Sequence, residues 1–192
     1  IINARPYAFL DDAPFEERRT NAIRNRSWLD PAETQSYSAL DAAAIAQVRE
    51  EAWPLVRSSE ELHDALFSVG FMTAEEVEQN RYEVFLEKLL AQGRACSARC
   101  ATQTLWLVAE RLPCLRAIYS SAAFAPALDL PESLAQESWE EDDALREIMR
   151  RRLEGLGPVT ARRLAQEAAL KPGVVEVALL GLETEGFAFR GH

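Results

Sequence analysis

Two lysines, two histidines and three cysteines are all that 192 residues hold of these types, and each scarcity closes a class of function. Cys96 and Cys100 are separated by three residues, Cys114 has no close partner, and His63 and His192 lie far off. Structural zinc sites draw their ligands as two close pairs, so the thiols read as small core or surface residues. Three cysteines also frame no disulfide scaffold in a cytosolic chain. No run of roughly 18 apolar residues occurs, so no transmembrane helix is expected, and no signal-peptide pattern is present. There is no G-x-x-x-x-G-K-[ST] phosphate loop, no G-x-S-x-G and no H-E-x-x-H. Carboxylates are plentiful, but none forms a spaced pair in an apolar setting. His63 sits beside Glu60, Glu61 and Asp64 without a nucleophile or ligand in sequence, so it reads as a surface or boundary residue. No catalytic residue, metal site or cofactor site is assignable.

What is present is a core-forming chain. Apolar residues make up 48%, and the length suits one or two domains. The chain begins at Ile1 without a methionine and stops inside an apparent strand, which reads as a piece of a longer cytoplasmic protein. The net charge of −10 is unevenly placed: residues 1–31 hold five acids and five bases, 32–141 eighteen and eight, and 142–192 eight of each. An acidic surface opposes phosphate binding, so the middle is a poor main contact for DNA.

The stretch Gly155 to His192 organises the rest. Thr160 is a good N-cap, since its hydroxyl can accept from a helical N–H that has no other partner. Ala161, Leu164, Ala165 and Ala168 recur at helical spacing. Lys171-Pro172-Gly173 breaks that helix. A second helix follows with Val174, Val177, Ala178 and Leu182 on one side, and Gly186 stands where a glycine would end it. Phe187 to Arg190 alternates like a half-buried strand. Helix, turn, helix and trailing strand is a winged-helix pattern. The fold alone does not establish DNA binding.

Earlier segments repeat the theme. Ser58 to Glu61 and Thr73 to Glu76 are capping boxes. They start helices that run to Gly70 and over the next turn. Tyr82 to Gln92 presents Phe85, Leu86, Leu89 and Leu90 as an apolar face. Arg94 to Cys100 and Thr104 to Val108 read as two short strands. Ser138 to Glu141 is a third capping box, opening a helix that carries Arg150, Arg151 and Arg152, the chain's only triple of bases. The expected class is mainly α (α+β): tandem winged helices with short β-wings. The boundaries are 1–31, the end of a preceding domain with a connecting helix; 32–119, a first winged-helix-like domain; 120–137, an Ala/Pro/Ser-rich linker; and 138–192, a second winged helix.

The candidates for phosphate contact are Arg150, Arg151, Arg152, Arg162 and Arg163, with Arg18, Arg19 and Arg24 on the first helix. For that first helix, ion pairing with Glu16 and Glu17 ranks ahead of phosphate contact. The helix placed to read bases, Val174 to Glu185, offers Glu176, Glu183, Thr184 and Glu185 and no base. DNA-reading helices present polar and basic groups instead. This helix is expected to face protein or solvent.

The order of ARPYAFLDDAPFEERRTNAI, SSEELHDALFSVGFM, LWLVAERLPCLRAIY and GPVTARRLAQEAALKPGVVEVALLGLETEGFAFRG resembles the bacterial Lhr proteins, the large helicase-related family. Neither LDDAPFEERR nor A-E-R-L-P is dictated by a winged helix, and the resemblance covers nearly the full chain. It implies a parent with an ATP-dependent superfamily 2 DNA helicase core, using ATP and Mg upstream of Ile1. Tandem winged helices and a DNA-glycosylase-like region would follow. No catalytic residue of that family falls within this chain, and no cofactor binds in it. The implied partners are single-stranded or forked DNA, other domains of the same polypeptide and a homo-oligomer, with no membrane. The implied place is the cytoplasm, associated with the nucleoid. The alternative is an assembly module making homo-oligomeric contacts with little DNA contact.

Overall fold

Side-chain capping sets where three of the described helices begin. In this computed structural model residues 41–191 are described. The segment 1–31 with Arg18, Arg19 and Arg24, the polar residues just after it, and His192 lie outside the described residues. Helix α1 (Ala42–Ala52) stops short of Pro54, because a residue before proline leaves the helical region. Helix α2 (Ser59–Val69) is capped by Ser58, whose hydroxyl accepts from Glu61 N. The expected reciprocal bond slips one residue: the Glu61 carboxylate accepts from Arg57 N at 2.6 Å. Helix α3 (Ala74–Asn80) has the full box, with Thr73 and Glu76 each accepting from the other's N–H. Helix α4 (Glu83–Ala91) buries Leu86 and Leu89.

The third expected box does not form. Helix α7 (Glu141–Leu156) starts after Glu140, with no side-chain cap. Glu141, Asp142 and Asp143 fill its first turn, where acidic charge complements the helix dipole.

Strands β2 (Ala95–Arg99) and β3 (Thr104–Val108) form the expected hairpin. Strand β1 (Met72–Thr73) adds to β3 and β4 (Ala123–Ala125) to β2, giving an antiparallel sheet in the order β1-β3-β2-β4. A three-residue turn, Ala109–Arg111, leads into α5 (Leu112–Ile118). The Ala/Pro-rich stretch 120–137 therefore carries β4 and the short α6 (Glu132–Ala135). Helices α8 (Ala161–Glu167) and α9 (Pro172–Thr184) follow α7.

One face of the sheet carries Cys96, Ala98, Leu105 and Leu107, all fully buried against α5, α7, α8 and α9. The other face meets α2, α3 and α4 through Met72, Ala95 and Val108. Ala42–Gly191 is one compact unit, and its first core runs from Phe71 to Leu182. Helix α7 touches α1, α2, α5 and α9. It passes α2 at Gly155, where an added Cβ would lie 2.6 Å from Val69 Cγ1. Only a residue without a side chain permits that approach. Tyr119 closes the same core, donating to Ala168 O at 2.5 Å, and burial pushes its phenol pKa well up.

Two expectations about the C-terminal stretch change. The buried stripe of α9 is Val175, Ala178 and Leu182, while Val174 and Val177 are 38% and 69% exposed. The helix is apolar nearly all round, so spacing alone cannot select its inner face. Phe187–Arg190 is not a strand. Phe187 N and Ala188 N both donate to Leu182 O, folding the chain back over the helix end. No partner strand is present there among the described residues.

Candidate nucleic-acid interface

Helix α8 is set by local chemistry. The Thr160 hydroxyl accepts from Arg163 N, and Leu164, Ala165 and Ala168 face the core. Ala169, at φ 52°, ends the helix in the left-handed region, so the turn precedes Lys171-Pro172-Gly173. Pro172 opens α9, where its missing N–H costs little. Gly186, at φ 75°, follows α9 as expected.

The five described candidate arginines separate by environment. Arg152 is 1% exposed. Its guanidinium donates to Phe71 O at 2.9 Å, to Glu76 at 2.6 and 3.2 Å, and to Glu167 at 2.9 Å. It also lies over the Phe71 ring. A side chain this enclosed is a tie between α3, α7 and α8, and no strand of DNA reaches it. The sequence carried a signal for this: 152 falls on the stripe of Ala144, Leu145, Ile148, Met149 and Leu156, one turn beyond Ile148.

Arg150 and Arg151 are half-buried and engaged. Arg150 bonds Glu185 at 2.5 Å and covers the Phe187 ring. Arg151 bonds Glu147 at 2.7 Å and approaches Glu154 at 3.5 Å. The hydrogen bond to Glu147 raises its pKa. Glu147 also lies 3.6 Å from Arg111 and 3.7 Å from Arg150. Burial lowers the pKa of Arg111, with Arg151 adding to the effect. Arg146 pairs with Asp143.

Arg163 is exposed and donates through Nε to Glu167 at 2.6 Å. Arg162 is exposed, and its side chain has no ion-pair or hydrogen-bond partner among the described residues. Helix α9 offers no cation, and its end carries Glu183 and Glu185. Free positive charge on this helical unit therefore lies on α8 rather than α9.

His63 Nε2 lies 3.3 Å from Glu110, a boundary contact. Cys96 and Cys114 are buried and Cys100 is half-buried, all free; burial pushes all three thiol pKa values up. A cleft of about 590 Å³ beside Trp53 and Tyr82 is lined by two arginines and three glutamates, so its charges do not favour an anion.

The fold is thus mainly helical, with a small antiparallel sheet and a short β-wing, and its helix–turn–helix presents cations on the first of the two helices. The chain is similar to the "Lhr helicase/uracil glycosylase" of Escherichia coli (strain K12), with 33% identity over 94% of the chain, and it spans 12% of that protein's length. No family model matches the chain. No helix among the described residues is long and apolar enough to cross a membrane.

Proposed function

We propose that this chain belongs to the Lhr family and is a non-catalytic tandem winged-helix segment of an ATP-dependent helicase and DNA-repair protein. It holds single-stranded or forked DNA between an upstream motor, which uses ATP and Mg, and a downstream glycosylase-like region. The parent works in the cytoplasm at the nucleoid. The observation that carries this reading is the 33% identity across 94% of the chain. The free Arg162 and the open side of Arg163 supply sequence-independent phosphate contact. Arg150 and Arg151 contribute by exchanging Glu147 and Glu185 for phosphate.

Fluorescence anisotropy of the chain with a forked oligonucleotide, over a range of salt, tests it. Arg162→Ala with Arg163→Ala should weaken binding uniformly across sequences and lower the salt slope by roughly 1 to 2. Unchanged affinity and slope would remove α8 from the interface.

A homo-oligomeric or inter-domain assembly role is the second reading. Val174, Val177 and Leu180 of α9, at 38%, 69% and 56% exposure, form an apolar stripe, and Phe189 beyond them is 89% exposed. Sedimentation distinguishes the two: a strict monomer with intact DNA affinity counts against assembly.

A further inference from the structure

The sheet has a second side that the helices leave partly open. Strand pairing places Ala125, Ser97 and Trp106 in one row, and Ala123, Arg99 and Thr104 in the next. Paired residues point to the same face, so both rows share it. Ala123, Ala125 and Arg99 are exposed, and Ser97, Thr104 and Trp106 are half-buried. Trp106 rests partly on the second core. The Ser97 hydroxyl is turned to Ala125 O at 2.9 Å, which leaves small side chains on one flank of the indole, with the buried Met72 on the other.

Charge sets this face apart. From residue 94 to 128 the chain has one acid, Glu110, against Arg94, Arg99, Arg111 and Arg116. Arg94 is held by Glu60 and Arg111 lies beside Glu147. Arg99 has no ion pair or hydrogen-bond partner for its side chain among the described residues, and no cation–π contact ties it to Trp106. Arg99 stands diagonal to Trp106 across the β2–β3 pair, at a separation of about 7–8 Å that long side chains span.

We propose that this face is a platform for one unpaired nucleotide of a DNA strand. Trp106 stacks the base, Arg99 takes the adjoining phosphate, and the small neighbours admit the strand along the sheet. Aromatic stacking tolerates any base, because every base has a π-face. Among protein or nucleic-acid occupants, the absence of any carboxylate from both rows of an acidic chain favours the polyanion.

The proposal rests on the DNA-positioning reading for its ligand class, and a common experiment separates the two. The intact chain is titrated with oligo-dT and with an abasic strand of equal length, alongside Arg99→Ala, Trp106→Leu, Trp106→Phe and the Arg162/Arg163 double variant. Circular dichroism confirms equal fold content. Trp106→Leu should weaken oligo-dT binding roughly tenfold and leave abasic binding unchanged, with Trp106→Phe in between. Arg99→Ala, on the exposed strand end, should lower the salt slope by about 1 on both strands. If the wild-type chain binds both strands equally, or Trp106→Leu and Arg99→Ala bind as wild type, the platform is wrong while positioning through α8 can stand. If only the Arg162/Arg163 change is silent, α8 falls and the platform stands. If no single strand binds at all, both fall.

Discussion

Removing the Arg152 guanidinium separates a structural arginine from a DNA-contacting one. In Arg152→Met the stem is replaced by a side chain of similar length, while Glu76 and Glu167 lose a shared cation. These two carboxylates are only 12% and 13% exposed, so water cannot fully replace the lost bonds. Phe71 O also loses its donor. Breaking a buried ion pair by deleting one partner costs about 3–5 kcal/mol. For a domain of this size, that corresponds to a fall in Tm of roughly 6–20 °C. Urea unfolding followed by circular dichroism reads the change as a shift in midpoint at constant m. Neutralising the stranded acids, as Arg152→Met with Glu76→Gln and Glu167→Gln, should restore a large part of the loss. Glu76→Gln keeps an acceptor for Thr73 N. At equal fold content, the salt slope of DNA binding should match wild type. A loss under about 1 kcal/mol, or a lowered salt slope with stability unmoved, would refute the tie.

Other changes test other joints. Gly155→Ala should cost about 1–3 kcal/mol by forcing α2 and α7 apart, and Val69→Ala in the same chain should recover part of it; additive losses in unfolding experiments would refute the contact. Tyr119→Phe should lose about 1–3 kcal/mol, since Ala168 O is left buried without its donor; an unshifted urea midpoint would contradict this. Burial pushes the Cys96 thiol up to about 11 and the Cys114 thiol up to about 12. Unfolded thiols lose their protons near 8.5, so the folded state is the more protonated one as pH rises. Stability should hold below about pH 8.5 and fall from there toward pH 11 to 12, with a gentler fall in Cys114→Ala; parallel pH slopes for wild type and variant would contradict this.

The parts legible in the sequence are those fixed within a few residues. Thr73 and Glu76 meet through a spacing of three, and Gly70 and Gly186 stop helices by backbone freedom. The hairpin is likewise local. Strand β4 is not legible, because Ala-Phe-Ala becomes a strand only when β2 supplies hydrogen bonds from 24 to 28 positions away. Phe187–Arg190 shows the reverse: alternation is present and the partner is not. Within the candidate site, the general placement of positive charge on α8 is readable. Which arginines are free is not, because Glu76 and Glu185 reach Arg152 and Arg150 from 76 and 35 positions away. The apolar breadth of α9 hides its inner face for the same reason: the selecting surface is distant in the chain.

The sixteen residues of α7 set more than a distance. Each helical residue advances about 1.5 Å and turns about 100°, so the helix joins its two ends at a fixed rotational phase. Met149, Arg152 and Gly155 must each point at a different neighbour, namely the core, Glu76 and Val69. One inserted residue would move the far end little but swing all that follows by more than a quarter turn. Arg152 would leave Glu76, and a side chain other than glycine would arrive at Val69. The segment can therefore be lengthened between its two ends only by near-whole turns. A single-residue insertion at an exposed position of α7 should be far more damaging than any substitution there.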